Sequence, residues 1–416
     1  MKTSLNRSKS LNQRNIAVGT PRSFGLGTSK WHRFGSISRQ FISFLFIIVL
    51  LFFSVGIACS YFLLLPHLPW AIHSLEAPNL SESTSSCDYF DGYWTIDDTY
   101  PLYNASSCPF AEKGFNCLGN GRKDEDYLKW KWKPKNCILP RFNVTSLLNT
   151  CRNKRIVFVG DSMSRTQWES LICMLMNGVE DKSTVYEVNN KTITKQTRYL
   201  CVKFSSFNFT VEFFRSVFLV EQNASPKHAP RRVKVTLKLD TLDEINKEWI
   251  NSDALIFNTG QWWVSWKLFE MGCYFQVGNA VKLGIPISSA YRMAVETWAR
   301  WVKENIDARR TRVFFRTYEP SHWSVDKSGK FCNVSRMPSK EEATEGVVSM
   351  VETVGDVVRR ADVAVTVLQV TSMSAWRSDA HVGKWNDDPS TSDCSHWCLP
   401  GLPDMWNEIF LSIWFS

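Results

Sequence analysis

Residues 155–168, RIVFVGDSMSRTQW, run an apolar β segment into a helix through the short turn Gly160-Asp161-Ser162. The run 155–160 is apolar on both alternating faces, the mark of a strand covered on both sides. From 164 to 177, Trp168, Leu171, Ile172 and Leu175 recur on one helical stripe. A strand that feeds directly into such a helix is the unit from which parallel sheets are built. Further strands are predicted at 210–215, 233–239, 254–258, 312–317 and 363–368, and further helices at 289–304, 340–360 and 404–413. This alternation predicts an α/β fold, a three-layer, mostly parallel sheet with helices on both faces. Ligands of such sheets sit at the carboxyl ends of the strands, which places Ser162 on the functional edge.

Aspartate and serine are good helix N-caps, so the turn alone leaves a structural and a catalytic reading open. A serine nucleophile needs a histidine to take its proton and a carboxylate to orient that histidine. Of the seven histidines, His32, His67 and His73 precede the ordered body, and His228 falls in a Lys/Pro/Arg-rich loop. In TSDCSHWCLPGLPDMWNEI, Asp393 lies three residues before His396, and His396 falls between Cys394 and Cys398. That spacing lets a carboxylate reach the imidazole of its own loop, although the same aspartate would also cap a turn. Asp379 and His381, in RSDAHVGKW, form an alternative pair, and His322 in YEPSHW either binds substrate or packs.

The segment 41–65, FISFLFIIVLLFFSVGIACSYFLLL, has no charge in 25 residues and is long enough to span a bilayer. Residues 1–40 before it hold eight basic residues and no acid. Positive charge on that side predicts a cytosolic tail, a transmembrane helix at 41–65 and a body on the far side. Without those eight, the 49 Lys and Arg fall to 41 against 40 acidic residues, which argues against nucleic-acid binding. Seven Asn-x-Ser/Thr sites, at 79, 104, 143, 190, 208, 223 and 333, and eleven cysteines follow the span. Both fit a glycosylated, oxidising compartment. Residues 66–86 read as a stem, 87–142 as a Cys-rich N-terminal subdomain stapled by disulfides, and 143–416 as the catalytic domain. Neither a paired CxxC nor H-E-x-x-H occurs, so no metal is expected.

GDSMSRTQWESL and DCSHWCLPGLPDMWNE, with CDYFDGYW, YPLYNASSCPF, GFNCLGNGR, DYLKWKWKPKNCILPRF, LIFNTGQWW and FFRTYEPSHW, resemble the plant trichome birefringence-like family of polysaccharide O-acetyltransferases. The resemblance covers about residues 87–416. It implies a PC-esterase core of GDSL/SGNH type in a Golgi type II membrane protein. It also implies Ser162 as nucleophile, His396 as base and Asp393 as its orienter. Many relatives carry histidine after NTG, where this chain has Gln261. Eight cysteines match family positions, and the resemblance suggests the pairs Cys87–Cys137, Cys108–Cys173, Cys117–Cys398 and Cys332–Cys394, leaving Cys151, Cys201 and Cys273 as buried thiols.

For the oxyanion, backbone N–H groups at the helix start, Arg165, and, by analogy with SGNH enzymes, Asn258 and Gly260 are the candidates. Among the 18 tryptophans, Trp262 and Trp263 follow Asn258 most closely and are expected to contact a sugar, with His322. The expected partners are an acetyl donor, acetyl-CoA or a carrier derived from it, and a cell-wall polysaccharide with a xylan or pectin-type backbone. Hydrolysis instead of transfer, or polysaccharide binding without catalysis, are the alternatives.

Overall fold

The structure is a computed structural model that describes residues 48, 49, 52 and 87–416 except 195, 327, 328 and 389. The tail 1–40, the stem 66–86 and all but three residues of the expected span 41–65 lie outside the described residues. Among the described residues, no helix is long and apolar enough to cross a membrane. The chain divides into Met1–Ser83, of which only helical Ile48, Val49 and Phe52 are described, and Thr84–Ser416.

The second unit is built on a seven-stranded sheet. Its strands, in chain order, are β1 (Arg155–Gly160), β2 (Val185–Glu187), β3 (Tyr199–Phe204), β4 (Phe209–Arg215), β5 (Ala254–Phe257), β6 (Arg312–Arg316) and β7 (Val365–Leu368), arranged 7-6-5-1-4-3-2. Strands β7, β6, β5, β1 and β4 are parallel, while β3 and β2 add antiparallel at one edge. The long helices are α1 (Ser162–Met176), α2 (Ile287–Asn305), α3 (Glu345–Ala361) and α4 (Leu402–Trp414).

Alternation along β1 divides the core in two. Ile156 and Phe158 pack with Trp168 of α1 and Phe410 of α4. Val157 and Val159 pack with Trp298 of α2 and Val354 of α3. The sheet is therefore covered on both faces, as its continuous apolar strands require. One expected strand lies elsewhere. Residues 233–239 fall largely in Val235–Leu242, in a second, mixed four-stranded sheet between Val220–Ala224 and Cys273–Val277. Its alternating burial marks a sheet with one half-covered face.

Before β1, the hairpin Gly92–Ile96/Trp130–Pro134 is closed by Cys87–Cys137. Cys108–Cys173 ties this N-terminal region to α1, and Cys117–Cys398 ties it to the loop after His396. Cys332–Cys394 is the fourth pair, and Cys151, Cys201 and Cys273 are free and buried. All four pairs are those the family resemblance suggests.

Helix α4 brings carboxyls into the core. Asp404 accepts hydrogen bonds from Ser170, Tyr103 and the Gly401 N–H, and Glu408 accepts from Tyr100. Burial nevertheless pushes Asp404 up to about 7 and Glu408 up to about 8, from ordinary values of 3.8 and 4.5. Between those limits the native chain binds protons that the unfolded chain has released. Stability is therefore full below the ordinary values and falls as pH rises to the native ones, by up to about 1.4 kcal/mol per pH unit for each carboxyl. His381, which burial holds down at about 3, acts with the opposite sign, but only below its ordinary 6.5. The melting temperature should therefore fall from about pH 6.5 to about pH 8.5 in thermal denaturation. A rise over that interval would show that these carboxyls enter the core ionised.

Candidate active site

The end of β1 admits only glycine at position 160, because a Cβ there would run into the side chain and carbonyl oxygen of Asn258. Asp161 then caps α1, accepting from the Met163 N–H at 2.9 Å. It also binds Asn258 reciprocally. The Asp161 N–H donates to Asn258 Oδ1 at 3.3 Å, and Asn258 Nδ2 donates to Asp161 Oδ1 at 3.1 Å. The cap thus locks the β1 and β5 ends together and leaves Ser162, half-buried, at the first position of the helix.

His396 lies on the short strand Asp393–Trp397, which pairs antiparallel with His381–Gly383. Its Nε2 stands 2.7 Å from Ser162 Oγ, and its Nδ1 stands 2.6 Å from Asp393 Oδ2. The other Asp393 oxygen accepts the backbone N–H groups of Ser395 and His396 at 2.9 and 3.0 Å. Burial works to raise the Asp393 pKa. The charge and hydrogen bond of His396 and these backbone donors outweigh it, and hold the carboxyl well below the usual range. Asp393 therefore stays ionised, fixes the proton on Nδ1 and turns the Nε2 lone pair toward Ser162. The arrangement can extract a proton from Ser162 and return it to a leaving group.

The alternative pair is built into the support of this one. Asp379 is buried in a two-bond ion pair with Arg377. His381, fully buried and stacked on Trp397 at 3.8 Å, bonds through Nδ1 to the carbonyl oxygen of His396 at 2.9 Å. Its Nε2 lies 2.6 Å from Nδ1 of His322, whose Nε2 meets the Ala375 carbonyl at 2.8 Å. Carbonyl oxygens only accept, so both outer nitrogens are donors. Burial disfavours charge on His381, and Glu341 lies 3.7 Å from His322. His322 is thus corrected from a substrate contact to a support, since both its nitrogens are engaged.

Two other expected contacts are also reassigned. Trp263 is buried, its indole N–H donating to Thr259 Oγ1 at 2.8 Å and its ring packed on Phe218, Phe275 and Tyr291. It belongs to the core, while Trp262 is half-exposed beside it. Arg165 is buried between Glu112 and Glu169, 2.7 Å from the latter, with its guanidinium over the Phe115 ring. Its Nη1 is engaged by those carboxylates, while its Nη2 is buried with no hydrogen-bond partner among the described residues. Gly260 lies against the Tyr318 ring, where a Cβ would collide. Asn258 uses one amide hydrogen on Asp161 and keeps the second. Gln261, in place of the histidine of many relatives, donates to the Glu319 carbonyl at 2.9 Å.

Phe115, Glu112 and Glu169 complete the surroundings of the site without any local sequence signal. Phe115 stacks on His396 at 5.4 Å and accepts the Leu399 N–H at its carbonyl, so the N-terminal region forms one wall around the base.

A strand-end serine, a histidine and a half-buried ionised aspartate on a mostly parallel sheet fit an acyl-transferring α/β enzyme. Residues 139–413 match the GDSL/SGNH-like acyl-esterase family found in Pmr5 and Cas1p, and residues 85–138 match the PMR5 N-terminal domain. The chain is 55% identical to Arabidopsis thaliana protein trichome birefringence-like 7 over 96% of its length and 91% of the relative's. It is 40% identical to trichome birefringence-like 6 of the same plant over 80% and 71%, and 37% identical to trichome birefringence-like 9 over 90% and 93%. The chain belongs to the trichome birefringence-like family.

Proposed function

We propose that this protein is an O-acetyltransferase that carries an acetyl group on Ser162 to hydroxyls of a plant cell-wall polysaccharide with a xylan or pectin-type backbone. The observation that carries this reading is the Ser162–His396–Asp393 relay, with both hydrogen bonds formed in a chain of this family. Ser162 Oγ attacks the donor's acetyl carbonyl as its proton passes to His396 Nε2. The free amide hydrogen of Asn258 and the backbone N–H groups of Ser162 and Gly260 receive the oxyanion. His396 returns the proton to the departing donor, leaving acetyl-Ser162. An acceptor hydroxyl then gives its proton to His396 and attacks the acetyl carbon, and His396 passes that proton to Ser162 Oγ as the acyl bond breaks, which frees Ser162. The donor is acetyl-CoA or a carrier derived from it, and no metal takes part. The site of action is the Golgi lumen, with 41–65 as a type II anchor in the Golgi membrane and 1–40 in the cytosol.

Hydrolysis is the second reading, favoured by the acyl-esterase description of the matching family. It shares every step up to acetyl-Ser162 and differs only in whether water or a sugar hydroxyl attacks. Incubating the full chain with a labelled acetyl donor and deacetylated xylan or pectin oligosaccharides separates the two. Label is expected on the oligosaccharide, and label recovered only as free acetate would reject transfer.

A further inference from the structure

The buried arginines of this fold are paired. Arg165 meets Glu112 and Glu169, Arg316 meets Glu319, Arg377 meets Asp379 and Arg122 meets Asp124, and half-buried Arg155 likewise meets Glu212. Two half-buried cations next to the catalytic turn depart from that pattern. Arg215 ends β4, opposite Gly160 in the ladder, and the next residue, Ser216, donates its N–H to the Gly160 carbonyl at 2.9 Å. Lys267 is tied to the loop after β5, donating to the Gln261 carbonyl at 2.9 Å. Among the described residues, neither has a carboxylate within ion-pair distance. Asp161 reaches both, and Asp393 reaches Lys267, only through space.

What these cations share is Trp262. The Arg215 guanidinium lies 5.5 Å from the centre of its ring and the Lys267 ammonium 4.8 Å, with exposed Trp266 5.1 Å from the same ammonium. Burial lowers the pKa of both cations, so the protein gives up part of their solvation without supplying a counter-charge. An indole face takes the apolar face of a sugar ring. The cations over the Trp262 ring take an anionic substituent of a sugar bound beside it, and a guanidinium matches a carboxylate with two parallel hydrogen bonds. On the Arg215 side, a cleft of about 330 Å³ continues past Phe218 to Arg198, which Asp243 meets at 3.7 Å, and its far wall carries Glu221 and Glu244.

We propose that Trp262, Arg215 and Lys267 form an acceptor subsite for a uronic-acid residue, so that the polymer acetylated at Ser162 is a carboxylated polysaccharide rather than a neutral one. The inference rests on the acetyl-transfer reading for its role, but the binding it predicts does not depend on turnover.

The test uses the full chain in detergent carrying Ser162→Ala, so that binding is read without reaction. Two probes are compared by calorimetry, a deacetylated oligogalacturonide and the same oligomer with its carboxyls reduced to alcohols. The acidic oligomer should bind at least about tenfold more tightly at low ionic strength, and that advantage should shrink with added salt. Arg215→Gln and Lys267→Gln should each remove most of the advantage while leaving the reduced oligomer's affinity unchanged, and Arg215→Lys should retain part of it. Equal binding of the two oligomers by the chain without cation substitutions overturns the proposal and requires no variant to fold. So does an equal loss for both oligomers in the variants, which would mark a structural role. Loss of acetyl-CoA binding alone would assign the cations to donor phosphates instead, and also overturns it. If the acidic preference holds while the Ser162 chain transfers no acetyl group, the subsite stands and the transferase reading fails.

Discussion

Asp393→Asn should lower the rate of acyl-enzyme formation by about 10⁴-fold, measured at a temperature where the variant is folded, and should lower the melting temperature near neutral pH. The asparagine amide nitrogen would face Nδ1 of His396 as a donor and force the proton of the neutral ring to Nε2. The lone pair would then point away from Ser162, although every heavy atom stayed in position. The loop keeps its geometry, because the bonds from the Ser395 and His396 N–H groups fall on Oδ1, which asparagine retains as its carbonyl oxygen. A depressed carboxyl pKa contributes stability above its ordinary value of 3.8, so the variant lacks that share at neutral pH, and its melting temperature should approach the parent's only on acidification below that value. Burst kinetics with a chromogenic acetyl ester measure the step directly, with Ser162→Ala as the zero. A loss below about tenfold would mean that Asp393 does not set the tautomer of His396.

The parts of this site readable from sequence are those fixed by neighbours along the chain. Gly160-Asp161-Ser162 follows from the passage of an apolar strand into an amphipathic helix. Asp393 and His396 follow from a spacing of three, which the short strand Asp393–Trp397 realises with two backbone bonds to the same carboxylate. Long-range partners behave differently. Trp262 and Trp263 are adjacent and alike in composition, yet Trp263 turns into a cage of Phe218, Phe275 and Tyr291 supplied by distant segments. His322 and His381 are 59 residues apart, and only the packing of the His381–Gly383 strand against Asp393–Trp397 brings them behind the base. The 233–239 strand was legible as a strand but not as a member of a second sheet. Parallel crossovers and sheet edges produce the same local pattern, and partner choice depends on where Cys273–Val277 returns. The four disulfides were accessible only through the family resemblance, because pairs separated by as many as 281 residues leave no local trace.

Arg165→Met should destabilise the fold by about 3–5 kcal/mol, seen as a fall in melting temperature on the order of 5–10 °C. Arg165 is 2% exposed and holds Glu169, which is fully buried, and Glu112, whose side chain is 11% exposed. Burial drives the Glu169 pKa upward and the Arg165 charge pulls it back. Methionine fills the guanidinium stem but leaves two carboxyls to be desolvated without a cation, and Glu112 also donates its N–H to Glu169 at 2.8 Å. The double variant Arg165→Met/Glu169→Gln should recover part of the loss, because neutralising the deeper carboxyl removes the larger desolvation cost. The same variant separates two roles for the arginine. If Arg165 donated directly to the oxyanion, its removal would cost about 10²–10³ in turnover per folded molecule. With Nη1 already engaged by both carboxylates, the expected change in turnover at a temperature where the variant is folded is below tenfold. A larger loss would place the guanidinium in the oxyanion site through its Nη2, which has no hydrogen-bond partner among the described residues.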